Sequence, residues 1–435
     1  YFRSAGSILS ATELEASDPG RMLEFYRQAI DVTQSRMWDV AVSDWIDLYH
    51  RLYREYEALL QAQGGSERHH ITVVIPVADR PMHLETCLRS LLELCGAFHY
   101  GGVSSKGYEY VSVMIADDSR GLENIQKHRQ LAEYFSEQGL STSYFGLSEQ
   151  LLQLEELDAQ ETESIGSILG AADRSSFYHK GPSVMRNIAC LKLNEQQTAG
   201  RLFYFIDSDQ EFRVKVQTGL GEQDLYAVNY LAELDRIFSR GDVNILTGKV
   251  VGDPPVSPAV MAGNFLEDIV RFLHEMSAEA ADDACRFHSL APESRGEAAY
   301  HDMAALFGFE PSQEPYPYRC HISGAHDHAR CFRVFAAKLN RFFYGDHPTR
   351  KSFYVPADAD LGVAPARTIY TGNYVFNAAG LKYFIPFAGL RLRMAGPVLG
   401  RLIKAEIGTR FVSANLPMLH KRTLEQTGQS EFRPG

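Results

Sequence analysis

Leu202-Phe203-Tyr204-Phe205-Ile206-Asp207-Ser208-Asp209 is the stretch that decides the fold. An apolar run stops abruptly at an acid. A run that is apolar at every position suits a strand buried on both faces, as in a parallel sheet covered by helices. The acids then stand at the carboxyl end of that strand, where open α/β sheets hold their ligands. Two carboxylates at i and i+2 can converge on a hard divalent cation and the phosphates it carries. Taken alone, the same tripeptide is also an ordinary solvated turn.

The pattern repeats upstream. Ile71-Thr72-Val73-Val74-Ile75-Pro76 is a short β-branched run, and Pro81 opens a helix with Leu84, Leu88, Leu91 and Leu92 on one face. Tyr110 to Ala116 is a second strand that ends at Asp117-Asp118. A helix is expected over 121–138, a strand near 143–146 and a helix over 183–193. Strands alternating with helices predict a parallel α/β sheet. Residues 18–63 read as a helical hairpin from their apolar spacing (Met22, Phe25, Tyr26, Ile30, then Trp45, Leu48, Tyr49, Leu52, Tyr56), closed by Gly64-Gly65. Its aromatic stripe suits packing on its own domain or, as an alternative, a homodimer. Residues 147–173 carry seven acids and no Lys or Arg and read as an exposed helix and loop. Residues 253–360 read as a long Pro-punctuated insertion. The expected division is a helical region 1–66, a core 67–255, an insertion 256–365 and a C-terminal segment 366–435.

The 435 residues are 45% hydrophobic and 23% charged, which excludes a disordered or collagen-like chain. The net charge of −12 argues against a dedicated nucleic-acid binder. No uncharged apolar stretch of about 18 residues is present, so no membrane span is expected. No targeting segment is evident. The six cysteines are few for the length, and Cys87 and Cys190 sit in apolar runs as reduced core residues would. The expected location is cytoplasmic, peripheral to the inner membrane at most.

Four motifs follow in order: Ile75-Pro76-Val77-Ala78-Asp79-Arg80-Pro81, Met114-Ile115-Ala116-Asp117-Asp118-Ser119, Gly181-Pro182-Ser183-Val184-Met185-Arg186-Asn187, and Asp207-Ser208-Asp209. This succession resembles the nucleotide-sugar glycosyltransferases of the GT-A fold, particularly family 2 and its relatives. The resemblance covers roughly residues 70–255. It implies a Rossmann-like, mostly parallel sheet with flanking helices. It implies a donor linked to UDP or GDP, held by Pro76, Asp79, Asp117, Asp118, Gly181, Arg186, Asn187, Asp207 and Ser208, with Mn²⁺ or Mg²⁺ on Asp207 and Asp209. Thr371-Gly372-Asn373-Tyr374 resembles the segment lining the sugar and acceptor pocket, to which Arg393 is added. Leu416-Pro417-Met418-Leu419-His420 resembles the segment whose histidine completes the metal shell, and imidazole suits Mn²⁺ beside carboxylates.

One departure bears on mechanism. Inverting relatives place an acid pair at the helix start that corresponds here to Arg393–Leu402, where no acid stands. Either the enzyme is retaining, as relatives lacking that acid such as the mannosylglycerate and glucosylphosphoglycerate synthases are, or the base comes from Asp358, Asp360, Glu406 or Asp209 itself. Two other classes stay open: a sugar-phosphate nucleotidyltransferase, disfavoured because Pro76-Val77-Ala78-Asp79 replaces its Gly-rich loop, and a non-catalytic nucleotide-sugar-binding or scaffold protein. Cys320-His321, His326-Asp327-His328 and Cys331 place five soft or borderline ligands within twelve residues, compatible with zinc, an acceptor pocket or plain structure. The charge is also uneven. Residues 382–422 hold eight bases against Glu406 alone, so a small anion, an anionic acceptor or a membrane surface suits that segment.

Overall fold

The structure is a computed structural model and describes residues 19–38, 42–64, 68–157, 159–169, 177–195, 198, 200–219, 221–252, 265–288, 317–343, 352–356, 362–390 and 395–421. The chain divides into two compact units. One comprises residues 1–251 and 353–420, the other 252–352 and 421–435.

In the first unit, helices α1 (Pro19–Arg36) and α2 (Val42–Ala62) precede β1 (His70–Val77), α3 (Pro81–Phe98), β2 (Val111–Asp117), α4 (Leu122–Glu137) and β3 (Ser141–Phe145). Then come α5 (Leu147–Glu155), α6 (Ala159–Leu169), α7 (Pro182–Asn194), β4 (Arg201–Ile206) and β5 (Gln210–Glu211). The hairpin β6 (Val214–Thr218) and β7 (Gly221–Leu225) leads to α8 (Tyr230–Phe238) and β8 (Ile245–Gly252). The second unit contributes α9 (Phe265–Ser277) and α10 (His328–Phe343). Back in the first unit, β9 (Ala364–Pro365), β10 (Asn373–Asn377), α11 (Ala395–Ile407) and β11 (Phe411–His420) complete the order.

The central sheet runs β3-β2-β1-β4-β10-β8-β11-β5, with β9 on β11. Strands β3, β2, β1 and β4 are mutually parallel. β10 is antiparallel to both β4 and β8, and β11 is antiparallel to β5 and β9. The expectation of a mostly parallel sheet therefore holds for the half built from strand–helix–strand crossovers. β10 reaches β4 without such a crossover and has no need to run parallel.

The apolar strands are buried on both faces, as their composition demands. Val73, Ile75, Val113, Ile115, Tyr204 and Ile206 pack on one side with α1, α2, α3 and α8. Val74, Met114, Phe203 and Phe205 pack on the other with α7 and α11. The aromatic stripe of α2 lies inside the first of these cores, with Tyr49 and Tyr53 edge-on to Phe98. Those two side chains are therefore not available to a second copy of the chain. Residues 147–155 and 159–169 are helical but not merely exposed. Leu154 and Leu169 enter the second core, and the buried Gln150 donates Nε2 hydrogen bonds to the carbonyls of Asp117 and Phe145. Among the described residues no helix is long and apolar enough to cross a membrane.

Candidate functional site

The parallel strands send their carboxyl ends to one edge of the sheet. The chain runs outward from β1 through β2 to β3, then returns to place β4 on the other side of β1. The order reverses between β1 and β4, and such a reversal opens a crevice for ligands. A cavity of about 340 Å³ lined by Glu57, Arg68, Gly101 and Tyr110 lies instead at the amino ends of β1 and β2, away from the crevice.

At the end of β1, Pro76 is a buried strand residue opposite Ala116. Asp79 follows in the left-handed region at φ 52°, a conformation Asp tolerates better than most residues. Its Oδ1 accepts from Gly121 N and Asn124 Nδ2, both at 3.0 Å, and its Oδ2 from His179 Nε2 at 2.5 Å. Burial alone would raise the Asp79 pKa, but the bonds from Asn124, His179 and Gly121 outweigh it and bring it down to about 2. Ser119 Oγ accepts from Asp79 N at 2.7 Å.

At the end of β2, Asp117 is buried and accepts from His128 Nδ1 at 2.9 Å, Tyr144 Oη at 2.8 Å and Ser119 N at 2.9 Å. Burial pushes its pKa up, and His128, Ser119 and Tyr144 together hold it below the ordinary value. Asp118 lies 2.6 Å from Lys180 Nζ and accepts from Gly181 N at 3.0 Å. Both members of this ion pair are 5% exposed. Removing one partner of a buried pair costs about 3–5 kcal/mol, so the pair fastens the segment before α7 to the end of β2. Asp117 and Asp118 are thus committed to holding loops.

At the end of β4, Asp207 pairs with Arg186 of α7, and Asp209 pairs with Arg80 at 3.1 Å. Ser208 is buried between them. Strand register explains the other neighbours. Asn373 pairs with Ile206, which sets Gly372 against Asp207, and a Cβ on Gly372 would stand 2.4 Å from Asp207 Oδ2. His420 pairs with Gln210, which places its Nε2 3.5 Å from Asp209 Oδ1.

Several expected pocket residues are used inside the protein. Asn373 Oδ1 accepts from Tyr204 Oη at 2.9 Å, while its Nδ2 donates to the carbonyls of Lys249 and Leu416 at 2.7 and 2.8 Å. Its amide ties β4, β8, β10 and β11 together. Tyr374 stacks on Phe205 in the core. Asn187 donates to the carbonyls of Ile168 and Ile385 and accepts from Ile385 N. Glu406 is exposed on α11 and bonds Lys382. Asp358, Asp360 and Arg393 lie outside the described residues.

The carboxyl edge also holds residues to which no role was given from the sequence. Arg80 lies within the first motif and Lys180 adjoins the third, and that placement was the available signal. His128 and Tyr144 gave none, because only the folded chain brings them to Asp117.

The fit to a divalent cation can be tested on the donor set. Asp209 Oδ1 and His420 Nε2 offer a carboxylate and an imidazole at cation-bridging range, 3.5 Å apart. Asp207 is drawn to Arg186 instead. Asp209 fits such an ion beside His420 through Oδ1, its Oδ2 being held by Arg80; Asp207 joins them only once its guanidinium partner Arg186 is released.

No protein-family model and no curated protein matches the chain. Among solved structures, the crystal structure of mannosyl-3-phosphoglycerate synthase from Rubrobacter xylanophilus is similar over 51% of this chain and 51% of that one, at 12% identity and a TM-score of 0.25. A likeness that spans only half of each chain at that score carries no weight for fold or activity.

Proposed function

We propose that the chain transfers a sugar from a UDP- or GDP-linked donor to an acceptor hydroxyl, with the donor lying across the carboxyl ends of β1, β2 and β4. The observation that carries this reading is the gathering of Asp79, Asp117-Asp118 and Asp207-Ser208-Asp209 at the crevice between β1 and β4, with Arg80, Lys180 and Arg186 among them.

Asp79 and Asp207 keep the most accessible carboxylates of the set, at 27% and 33% side-chain exposure, and face the donor. Arg80 and Arg186 exchange their carboxylate partners for the diphosphate, whose oxygens a guanidinium fork fits well. Asp209 and His420, with Asp207 after that exchange, hold Mg²⁺ or Mn²⁺. The ion supplies charge neutralisation to the departing diphosphate. Transfer proceeds with retention. The bond from the anomeric carbon to phosphate breaks, the acceptor oxygen bonds to the same face, and its proton passes to the leaving phosphate oxygen.

The test is a panel of UDP- and GDP-sugars with Mn²⁺, read as donor hydrolysis and as thermal stabilisation by the nucleoside diphosphates. Asp209→Asn is expected to lower hydrolysis by about 100-fold, the scale of losing one electrostatic contact to a transition state. If no nucleoside diphosphate stabilises the protein and no donor is cleaved, the reading fails. Proton NMR of the product reads the anomer. A β product from an α donor would replace retention by inversion with a separate base.

A further inference from the structure

The second unit has a small core. Among the described residues its buried apolar members are Ile269, Phe272, Met276, Cys285, Phe287, Cys320, Cys331 and Phe335. Three of these eight are cysteines. Cores this small are commonly reinforced by a covalent or metal staple.

The three cysteines meet one histidine. The ligand atoms of Cys285, Cys320, His326 and Cys331 all lie within 4.8 Å of one another, and Cys320 Sγ is 3.1 Å from His326 Nε2. In a tetrahedral site with Zn–S near 2.3 Å and Zn–N near 2.0 Å, neighbouring ligand atoms stand about 3.5–3.8 Å apart. The cluster is close to that size. Three thiolates and one imidazole form one of the standard ligand sets for structural zinc.

The backbone holds the ligands in place independently of any ion. Cys285 N donates to His326 O at 2.9 Å, and Cys320 N donates to Phe287 O. Cys331 sits in the first turn of α10. His326 Nδ1 donates to Gly324 O at 2.7 Å. That bond fixes the tautomer whose bare Nε2 faces the sulfurs, the outer-shell arrangement common to metal-bound histidines. Gly324 reaches this turn at φ 80°, in the left-handed region that glycine adopts without strain. His328 is excluded as a ligand. Its Nδ1 bonds Ala280 O at 3.0 Å, and its Nε2 accepts from Arg286 N at 3.1 Å.

We propose that Cys285, Cys320, His326 and Cys331 bind one structural zinc ion that staples the second unit. The site is closed, with four protein ligands and no position left for substrate, so it stands apart from glycosyl transfer.

The test uses the whole chain purified under reducing, zinc-replete conditions. Mass-spectrometric metal analysis is expected to find about one zinc per chain. Titration of the thiols with p-hydroxymercuribenzoate is expected to release that zinc. Cobalt(II) in its place is expected to show thiolate charge-transfer and tetrahedral d–d bands. Cys320→Ser and His326→Ala should each weaken zinc binding beyond the roughly 10- to 100-fold loss of an outer-shell partner, while Cys95→Ala should keep the ion. If the ligand variants do not fold, the mercurial titration and cobalt spectrum of the unaltered chain decide. Three outcomes overturn the proposal: a zinc-free chain without tetrahedral cobalt bands, zinc retained in full by both ligand variants, or a disulfide joining two of the three cysteines in the chain as isolated.

Discussion

Replacing Asn373 by alanine separates a residue that holds the sheet from one that holds a sugar. The amide makes three bonds, to Tyr204 Oη and to the carbonyls of Lys249 and Leu416. Tyr204 and Asn373 are both essentially inaccessible to solvent, so water cannot replace what is lost. A buried hydroxyl without its partner costs about 1–3 kcal/mol. A carbonyl with a second lone pair costs less, about 1 kcal/mol each. The expected destabilisation is about 3–5 kcal/mol, at the upper end for a single substitution. Unfolding entropy near 2.1 cal/mol/K per residue converts this, for a unit of about 300 residues, into a fall in Tm of about 5–8 °C. Calorimetry of Asn373→Ala, Tyr204→Phe and the double variant reads it. In the Tyr204→Phe background the alanine substitution should cost about 1–3 kcal/mol less, because no hydroxyl is left without a partner. If Asn373→Ala unfolds within about 0.5 kcal/mol of the parent yet loses donor binding, the amide is a ligand contact and the argument from its three bonds is wrong.

Other outcomes follow from the same geometry. Arg80→Gln removes the guanidinium competing for Asp209; Mn²⁺ affinity without nucleotide, followed by electron paramagnetic resonance, should rise about tenfold (about 1.4 kcal/mol), and an unchanged affinity would show that Asp209 is no cation ligand. The folded-state pKa of Asp117 is depressed, so its stabilisation is present above the unfolded value near 3.9 and lost as pH falls through the folded one. Urea midpoints should therefore decline below about pH 4, and Asp117→Asn should flatten that decline; an unaltered acid limb refutes the assignment. Gly372→Ala places a methyl 2.4 Å from Asp207 Oδ2. It should displace that carboxylate from Arg186 and lower donor hydrolysis by tenfold or more, at a stability cost of about 1–3 kcal/mol. Unimpaired turnover would place Asp207 outside the reaction.

Strands β1, β2 and β4 were legible because burial on both faces leaves a continuous apolar run, and the acids mark where burial stops. The helical hairpin was legible from its spacing. Much of the rest is set by what covers each element, which local pattern does not encode. Gln150 reads as a surface residue until its amide is seen under the end of β2. Asn373 resembles a pocket residue in sequence, yet its three hydrogen bonds go to Tyr204, Lys249 and Leu416 on neighbouring strands. Cys285 lies 35 positions before Cys320, so no spacing rule joins it to His326 and Cys331. Arg80 and Arg186 were legible as cations near the site, but not as the present partners of Asp209 and Asp207.

The single carboxylate of Asp79 bonds the start of α4 through Gly121 and Asn124, and the segment before α7 through His179. It therefore works as a rivet that joins the end of β1, the start of α4 and the segment before α7. Loops fastened in this way lose their independent motions when the protein folds, not when a ligand arrives. The entropy of ordering that rim does not subtract from the free energy of binding, and a small anion meets one fastened wall where the topology alone would have offered three separate segments.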